Sequence, residues 1–229
     1  MTTESLSCSA AACVARPRHA VEFRLNVQPD VCQLSPDVQV VPRHDRQCPA
    51  GMWEIVPVTS LSIRPACRAD LHGLATLEVE AGKIFRSVGM PEVAEHMPDM
   101  DAFHRCQEEG QIWVAEVNAG IAGYVVATVV DGNAHIEQVS VFPAHARQGV
   151  GRRLIIHIEA WGRDHGLPAT TLTTFRDVPW NGPYYQRLGY RMLKVSEIGT
   201  ELAAAIEYEA SLPGIDRSLR CAMIKAINR

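Results

Sequence analysis

Long apolar runs are missing from this 229-residue chain. The longest, Gly120 to Val130, is about half of the roughly 20 residues that cross a bilayer as a helix, so no membrane partner is expected. An excess of one charge is missing too. The 22 Lys and Arg stand against 26 Asp and Glu, a net charge of −4 with no like-charged block, so nucleic acid, which is bound through counterion release, is not an expected partner. No basic segment precedes the mildly apolar Cys8 to Ala15, which fits a secretory signal poorly. The seven Cys are an odd number and contain no CxxC pair and no Cys and His spacing of a zinc module. That argues against a disulfide framework and against a metal, and makes the cytoplasm the expected location. The GxGxxG dinucleotide pattern and the GxxxxGK run of phosphate-binding loops are also absent.

The chain does have the composition of an ordinary globular protein, 47% hydrophobic and 21% charged, enough to bury a sizeable core. That composition is unevenly spread. The first 60 residues hold six of the 14 Pro and four of the seven Cys but one of the 16 Gly, and no window there keeps a helix or strand period for long. Residues 1–60 are therefore read as a poorly ordered extension, with Met52 an alternative start of the translated chain. A chain beginning there is expected to fold.

Residues 61–229 read as one domain. An alternating strand over 61–65 leads to an amphipathic helix from Ala69 to about Lys83, and a weaker helix follows the Gly89-Met90-Pro91 break to about Gln107. Strands over 111–117, 121–130 and 134–142 come next, joined by turns at 118–120 and at Asp131-Gly132, which makes an antiparallel meander. After Pro143 a glycine-containing loop opens a helix whose Leu154, Ile155, Ile158 and Trp161 share a face, closed by Gly166. A strand over 169–175, a short helix near 179–188, a strand over 190–195, a helix near 200–212 and a strand over 218–227 complete the pass. The fold class is α+β on a mixed sheet, with no internal repeat.

The loop before that long helix carries the first chemical signal. Gly149 and Gly151 let backbone NH groups converge at a helix N-terminus, while Arg147, Arg152 and Arg153 crowd the same positive end of the macrodipole. Cations there are unfavourable unless an anion joins them. Two readings fit: a bound phosphate, or a turn whose arginines face water.

Val139-Ser140-Val141-Phe142-Pro143 followed by Ala146-Arg147-Gln148-Gly149-Val150-Gly151 resembles the acyl-CoA-binding segment of the GNAT superfamily of N-acetyltransferases. That segment has the pattern Gln or Arg, two residues, Gly, one residue, then Gly or Ala; here Ala146 takes the first position. Tyr184-Tyr185-Gln186-Arg187-Leu188-Gly189-Tyr190 resembles the family's aromatic-Tyr, three residues, Gly, aromatic signature. The two segments occur in the family's order, and the resemblance covers roughly residues 61–229.

The resemblance implies a twisted, mostly antiparallel sheet flanked by helices, with acetyl-CoA as co-substrate and no metal. Its pyrophosphate would meet the NH groups of Gln148, Gly149, Val150, Gly151 and Arg152, with Arg147 alongside. Its pantetheine arm would run along the main chain of Val139, Ser140 and Val141, as an extended peptide adds to a sheet edge. The strands over 134–142 and 169–175 must then splay. Tyr185 matches the tyrosine that protonates the departing thiolate, and Asn181, four residues before it, can bond the pantetheine or cap the helix.

Glu137 is the candidate base. By strand period it should share a face with His135, Val139 and Val141. It either draws the amine's proton or reaches solvent and pairs with an Arg, and His135 is the fallback. Family analogy places the acceptor near Phe85, Arg86, Phe175 and Trp180. The expected reaction is direct attack by a primary amine of a small molecule or peptide on acetyl-CoA in a ternary complex, by a monomer or homodimer. No Cys lies in either motif, so a covalent route has no nucleophile. The alternative is a catalytically silent acyl-CoA-binding module of the same fold.

Overall fold

The computed structural model describes residues 61–227 and the backbone of two earlier strands, Val38–Pro42 (β1) and Trp53–Pro57 (β2), which pair antiparallel as a sheet of their own. The rest of the extension, with Cys8, Cys13, Cys32, Cys48 and the alternative start Met52, lies outside the described residues.

From residue 61 the chain builds a seven-stranded sheet. In chain order its strands are Leu61–Pro65 (β3), Ile112–Val117 (β4), Gly120–Val130 (β5), Asn133–Val141 (β6), Ala169–Phe175 (β7), Arg191–Met192 (β8) and Arg220–Ala226 (β9). Their order across the sheet is β3-β4-β5-β6-β7-β9-β8. Every neighbouring pair is antiparallel except β6 and β7, which are parallel. The meander β4-β5-β6 follows from short turns. Asp131 and Gly132 both take positive φ, 46° and 71°, the twist that joins two strands in two residues. Parallel β6 and β7 need a crossover, supplied by the helix Val150–Asp164.

Helices cover both faces. Leu71–Gly82 (α1) and Met100–Glu108 (α3) bury Leu71, Leu74, Leu77 and Phe103 against Tyr124 and Val126 of β5. Val150–Asp164 (α4) buries Val150, Leu154, Ile155 and Ile158 against Val125, Ile136, Val139 and Leu172 on the opposite face. Each such aliphatic side chain contributes about 1.5–3 kcal/mol when fully buried. Between α1 and α3 lie a 3-10 stretch, Lys83–Val88, and a single turn, Pro91–Ala94 (α2). The one weak helix expected to reach Gln107 is thus two, because Asp99 caps a new start: its Oδ1 accepts from the backbone NH of Asp101 at 2.9 Å and of Ala102 at 3.1 Å. Gly182–Arg187 (α5) and Thr200–Ala210 (α6) complete the set.

The strand expected over 190–195 is a second difference. Only Arg191 and Met192 pair with β9, because Lys194 turns the chain into a 3-10 helix whose Glu197 takes the Lys194 NH at 2.8 Å and grips Arg191 at 2.8 and 3.0 Å.

Candidate active site

The parallel pair opens like a fork. β6 and β7 pair at Ala134 with Thr170, His135 with Thr171 and Ile136 with Leu172, and there pairing stops, although β6 runs on to Val141 and β7 to Phe175. Each strand stays bonded on its outer side, β6 to β5 and β7 to β9. Past Ile136 and Leu172, the two inner edges therefore turn unpaired backbone NH and C=O groups toward each other, groups that require a partner.

A β-bulge stands at the base of this fork. Val126 of β5 faces Gln138 and the next residue, Ala127, faces Ile136, so Glu137 is the extra residue with no partner across the ladder. The bulge overturns one expectation. Val139 and Val141 belong to the cluster on the α4 side with Ile136, whereas Glu137 turns to the other face, where Thr128 donates to its Oε1 at 2.7 Å. The two-residue alternation that put Glu137, Val139 and Val141 on one face skips a beat at the extra residue. Burial pushes the Glu137 carboxyl up to about 7, with the charges of Glu209 and Glu109 adding to it and the Thr128 bond opposing it. Near neutrality Glu137 can thus both take and release a proton. The neighbouring Cys106 thiol of α3 is pushed up to about 12, mainly by its own burial and partly by Glu137.

His135 is placed differently. Its ring is buried, its Nδ1 lies 2.9 Å from Thr171 Oγ1, and burial pulls it down to about 4, so it stays neutral in the interior.

Tyr185 lies on the α4 side of the same opening. It sits on α5 in the cluster with Val139, Val141 and Val150, stacked edge-on between Tyr184 and Tyr190 at 5.5 and 5.6 Å. Its hydroxyl is fully buried and has no hydrogen-bond partner among the described residues, as is also true of Thr174 Oγ1 on β7 beyond the fork point. Burial, with Tyr184 adding to it, raises the phenol well above its ordinary value, so it keeps its proton at neutral pH. A buried hydroxyl without a partner is costly in the absence of a ligand. The placement of α5 depends on Gly182, whose missing side chain lets the helix start against the Arg176 carbonyl. Asn181 precedes it, but its side chain does not cap the helix.

The glycine loop borders the open end. Arg147 and Gly149 take positive φ, 61° and 77°, and α4 begins at Val150 with Gly149 in the capping position. Gln148 turns back, its Nε2 donating to the Ala144 carbonyl at 3.0 Å, which holds the loop's shape from within. Arg147, Arg152 and Arg153 are exposed and form no ion pair with any described residue. Three uncompensated cations at the positive end of a 15-residue helix suit an anion. A cleft of about 360 Å³ lies beside this loop, lined by Glu80, Lys83, Ile84, Val141, Pro143 and Ala146 among others.

The residues expected to meet the acceptor are packed on one another. Phe85 stands 5.4 Å from Phe175 and 5.9 Å from Trp180, all buried with Val93 and Val178. Arg86 is exposed and pairs with Glu95 at 3.3 Å. The three rings thus form a wall, and among them the Trp180 indole NH, buried and without a partner among the described residues, is left to bond a ligand.

Sequence reasoning missed the far wall of the fork. Thr173 donates to Glu209 Oε1 at 2.5 Å, and Arg220 Nη2 reaches Glu209 Oε2 at 2.6 Å and Thr173 Oγ1 at 3.0 Å, all buried. One signal was present: four threonines among the seven residues of a completely buried strand. On the same face of the sheet, Tyr124 donates a short hydrogen bond to the buried Glu78.

Known proteins share this fold. The model of the acetyltransferase (GNAT) family matches residues 74–190, just over half of the chain. Among solved structures, PaiA N-acetyltransferase from Thermoplasma acidophilum in complex with coenzyme A superposes with a TM-score of 0.56 at 14% identity, covering 73% of this chain and 99% of its own. N-acetylglutamate synthase from Neisseria gonorrhoeae, complexed with coenzyme A and N-acetyl-glutamate, gives 0.56 at 16% identity over 74% of this chain, which spans only 36% of that longer protein. The ribosomal-protein-S18-alanine N-acetyltransferase from Escherichia coli gives 0.50 at 18% identity, covering 74% and 96%. At such identities these likenesses speak for the fold alone. The described residues contain no group of His, Cys, Asp and Glu able to hold a metal, and no helix long and apolar enough to cross a membrane.

Proposed function

The chain belongs to the acetyltransferase (GNAT) family, and on that premise we propose that it is an N-acetyltransferase moving the acetyl group of acetyl-CoA to a primary amine of a small molecule or peptide, by direct attack in a ternary complex. The observation that carries this reading is the fork: two strands that give up their mutual hydrogen bonds between a half-buried carboxyl near neutrality and a buried phenol with no partner.

Acetyl-CoA would lie with its diphosphate at the NH groups of residues 148–152, beside Arg147 and Arg152, and its amide arm along the open edge of β6 at Val139 to Val141. An arm that adds to a strand edge satisfies the backbone groups the fork leaves open. The amine arrives protonated and must lose a proton to become a nucleophile. Glu137, directly or through a water, takes it. The amine nitrogen then forms its bond to the thioester carbon and the carbon–sulfur bond breaks. Tyr185 supplies the proton to the departing thiolate and regains one as the nitrogen sheds its second proton on becoming an amide. Burial raises the phenol well above its ordinary value, so it holds its proton in the neutral range where Glu137 ionises.

The test is a panel of amines and amine-terminal peptides with acetyl-CoA, read by release of free thiol, beside a thermal-shift titration with CoA. CoA is expected to raise the melting temperature as RT ln(1 + [L]/Kd), and at least one amine to release thiol. No shift at millimolar CoA would overturn the reading. A shift without turnover on any amine would identify the silent acyl-CoA-binding module.

A further inference from the structure

α6 is anchored at both ends to the strands that form the fork. At its N-terminus, Asp131 of the β5–β6 turn accepts from the backbone NH groups of Glu201 and Leu202, each at 3.0 Å, while Glu201 Oε2 takes the Asp131 NH at 2.6 Å. This is a reciprocal cap supplied by a residue 70 positions away. At its C-terminus, Glu209 is held by Thr173 of β7 and Arg220 of β9, and the Arg220 guanidinium lies 4.9 Å from the centre of the Phe175 ring. The helix therefore cannot shift without breaking bonds to the β5–β6 turn, β7 and β9.

The register places what α6 carries. Ile136 and Leu172 are the last pair, so Glu137 on β6 and Thr173 on β7 are the first residues past the fork point, one on each wall. Strand alternation turns both away from the α4 side occupied by Ile136 and Leu172. Thr173 holds Glu209, so a second carboxylate stands on the wall opposite Glu137.

We propose that Glu209, fixed by Arg220 and Thr173, is a positioning residue for the transfer reaction: it presents a negative charge to Glu137 across the fork and so makes Glu137 the proton acceptor. The proposal rests on the reading of Glu137 as base. The Glu209 carboxylate is paired with the Arg220 guanidinium in the interior, at 2.6 Å. Arg220 engages Glu209, and the repulsion from Glu209 that raises the Glu137 carboxyl is an effect of charge across the opening. The other groups around Glu137 are Thr128 of β5, Cys106 and Glu109 at the end of α3, and His135, which is engaged with Thr171. No cation of the described residues is paired with it.

The experiment follows the Glu137 side-chain carboxyl by 13C NMR of the full chain with labelled glutamate and saturating CoA, its signal assigned by disappearance in Glu137→Gln. In Glu209→Gln its midpoint is expected to fall by roughly half a pH unit to one unit, because a like charge has been removed. That variant leaves Arg220 unpaired in the interior, so the double variant Glu209→Gln, Arg220→Met removes both charges together and is expected to show a smaller fall in the same direction, since the nearby cation is lost too, with the fold retained. A midpoint unchanged in the folded double variant would overturn the proposal and leave the pair a structural clamp. If instead the midpoint falls but Glu137→Gln transfers acetyl groups at the wild-type rate, the influence of Glu209 stands and the reading of Glu137 as base fails.

Discussion

The two ends of the β6–β7 pair differ in every respect that separates a core from a site. At the closed end Ala134, Ile136 and Leu172 are fully bonded to their neighbours and packed among aliphatic side chains of α4. At the open end, one residue further along each strand, the backbone bonds cease and polar side chains gather: Glu137, Thr173, Thr174 and the Tyr185 hydroxyl. The sheet can afford the opening because each strand remains paired on its outer edge. Packing and bonding are concentrated at one end of the strand pair and open backbone and polar side chains at the other.

Four measurements can break or sharpen that contrast. The largest effect is expected at the open end, where Tyr185→Phe should lower the rate of acetyl transfer about 100-fold to 10,000-fold while acetyl-CoA affinity changes little, because the ring stays and only the proton is lost. Steady-state kinetics beside calorimetric binding would show this, and wild-type turnover would remove Tyr185 from the mechanism. At the closed end, Leu172→Ala should cost about 2–5 kcal/mol of stability in denaturant melts, yet leave the rate per folded molecule close to that of the wild type. A lost rate with unchanged stability would erase the distinction between the ends.

Glu137→Gln brings both quantities together. A carboxyl raised to about 7 binds its proton more tightly in the folded state, so its contribution is fully present below the ordinary carboxyl range and is lost as pH rises through 7. The Gln variant escapes that loss. Its melting temperature should exceed the wild type's at pH 8 by about 2–4 °C, corresponding to roughly 1 kcal/mol, with no gain at pH 4. Its transfer rate should fall and lack the decline below pH 7 expected of the wild type. The smallest effect is expected at the loop, where Arg152→Ala should weaken CoA binding by about threefold to tenfold, less so at high salt, because an exposed cation acts through a screened field. Equal affinity at low salt would place the diphosphate elsewhere.

Much of the architecture is legible in the amino-acid sequence. The β7 strand was read at its observed limits, and Asp131-Gly132 marked a turn, because short-range patterns of burial and turn chemistry repeat within a few residues. The parts that escaped depend on neighbours distant in the chain. The extra residue in β6 is defined only against β5, so Glu137 was assigned to the face of Val139 and Val141 when it lies on the other. Phe85, Phe175 and Trp180 were candidates for contact with an acceptor, and their mutual packing is visible only when α1's continuation meets β7.

By itself the sequence determined the fold class, the glycine turn that opens α4 and the tyrosine on α5, since each rests on residues adjacent along the chain. Tertiary structure alone decided where the parallel pair opens, which face Glu137 takes, and that Glu209 and Arg220 meet inside the far wall. The physical reason is range. Periodicity and turn preference act over a few residues, whereas strand register, burial and the field felt by a carboxyl arise from groups 9 to 71 positions apart, and only folding brings them within a few ångströms.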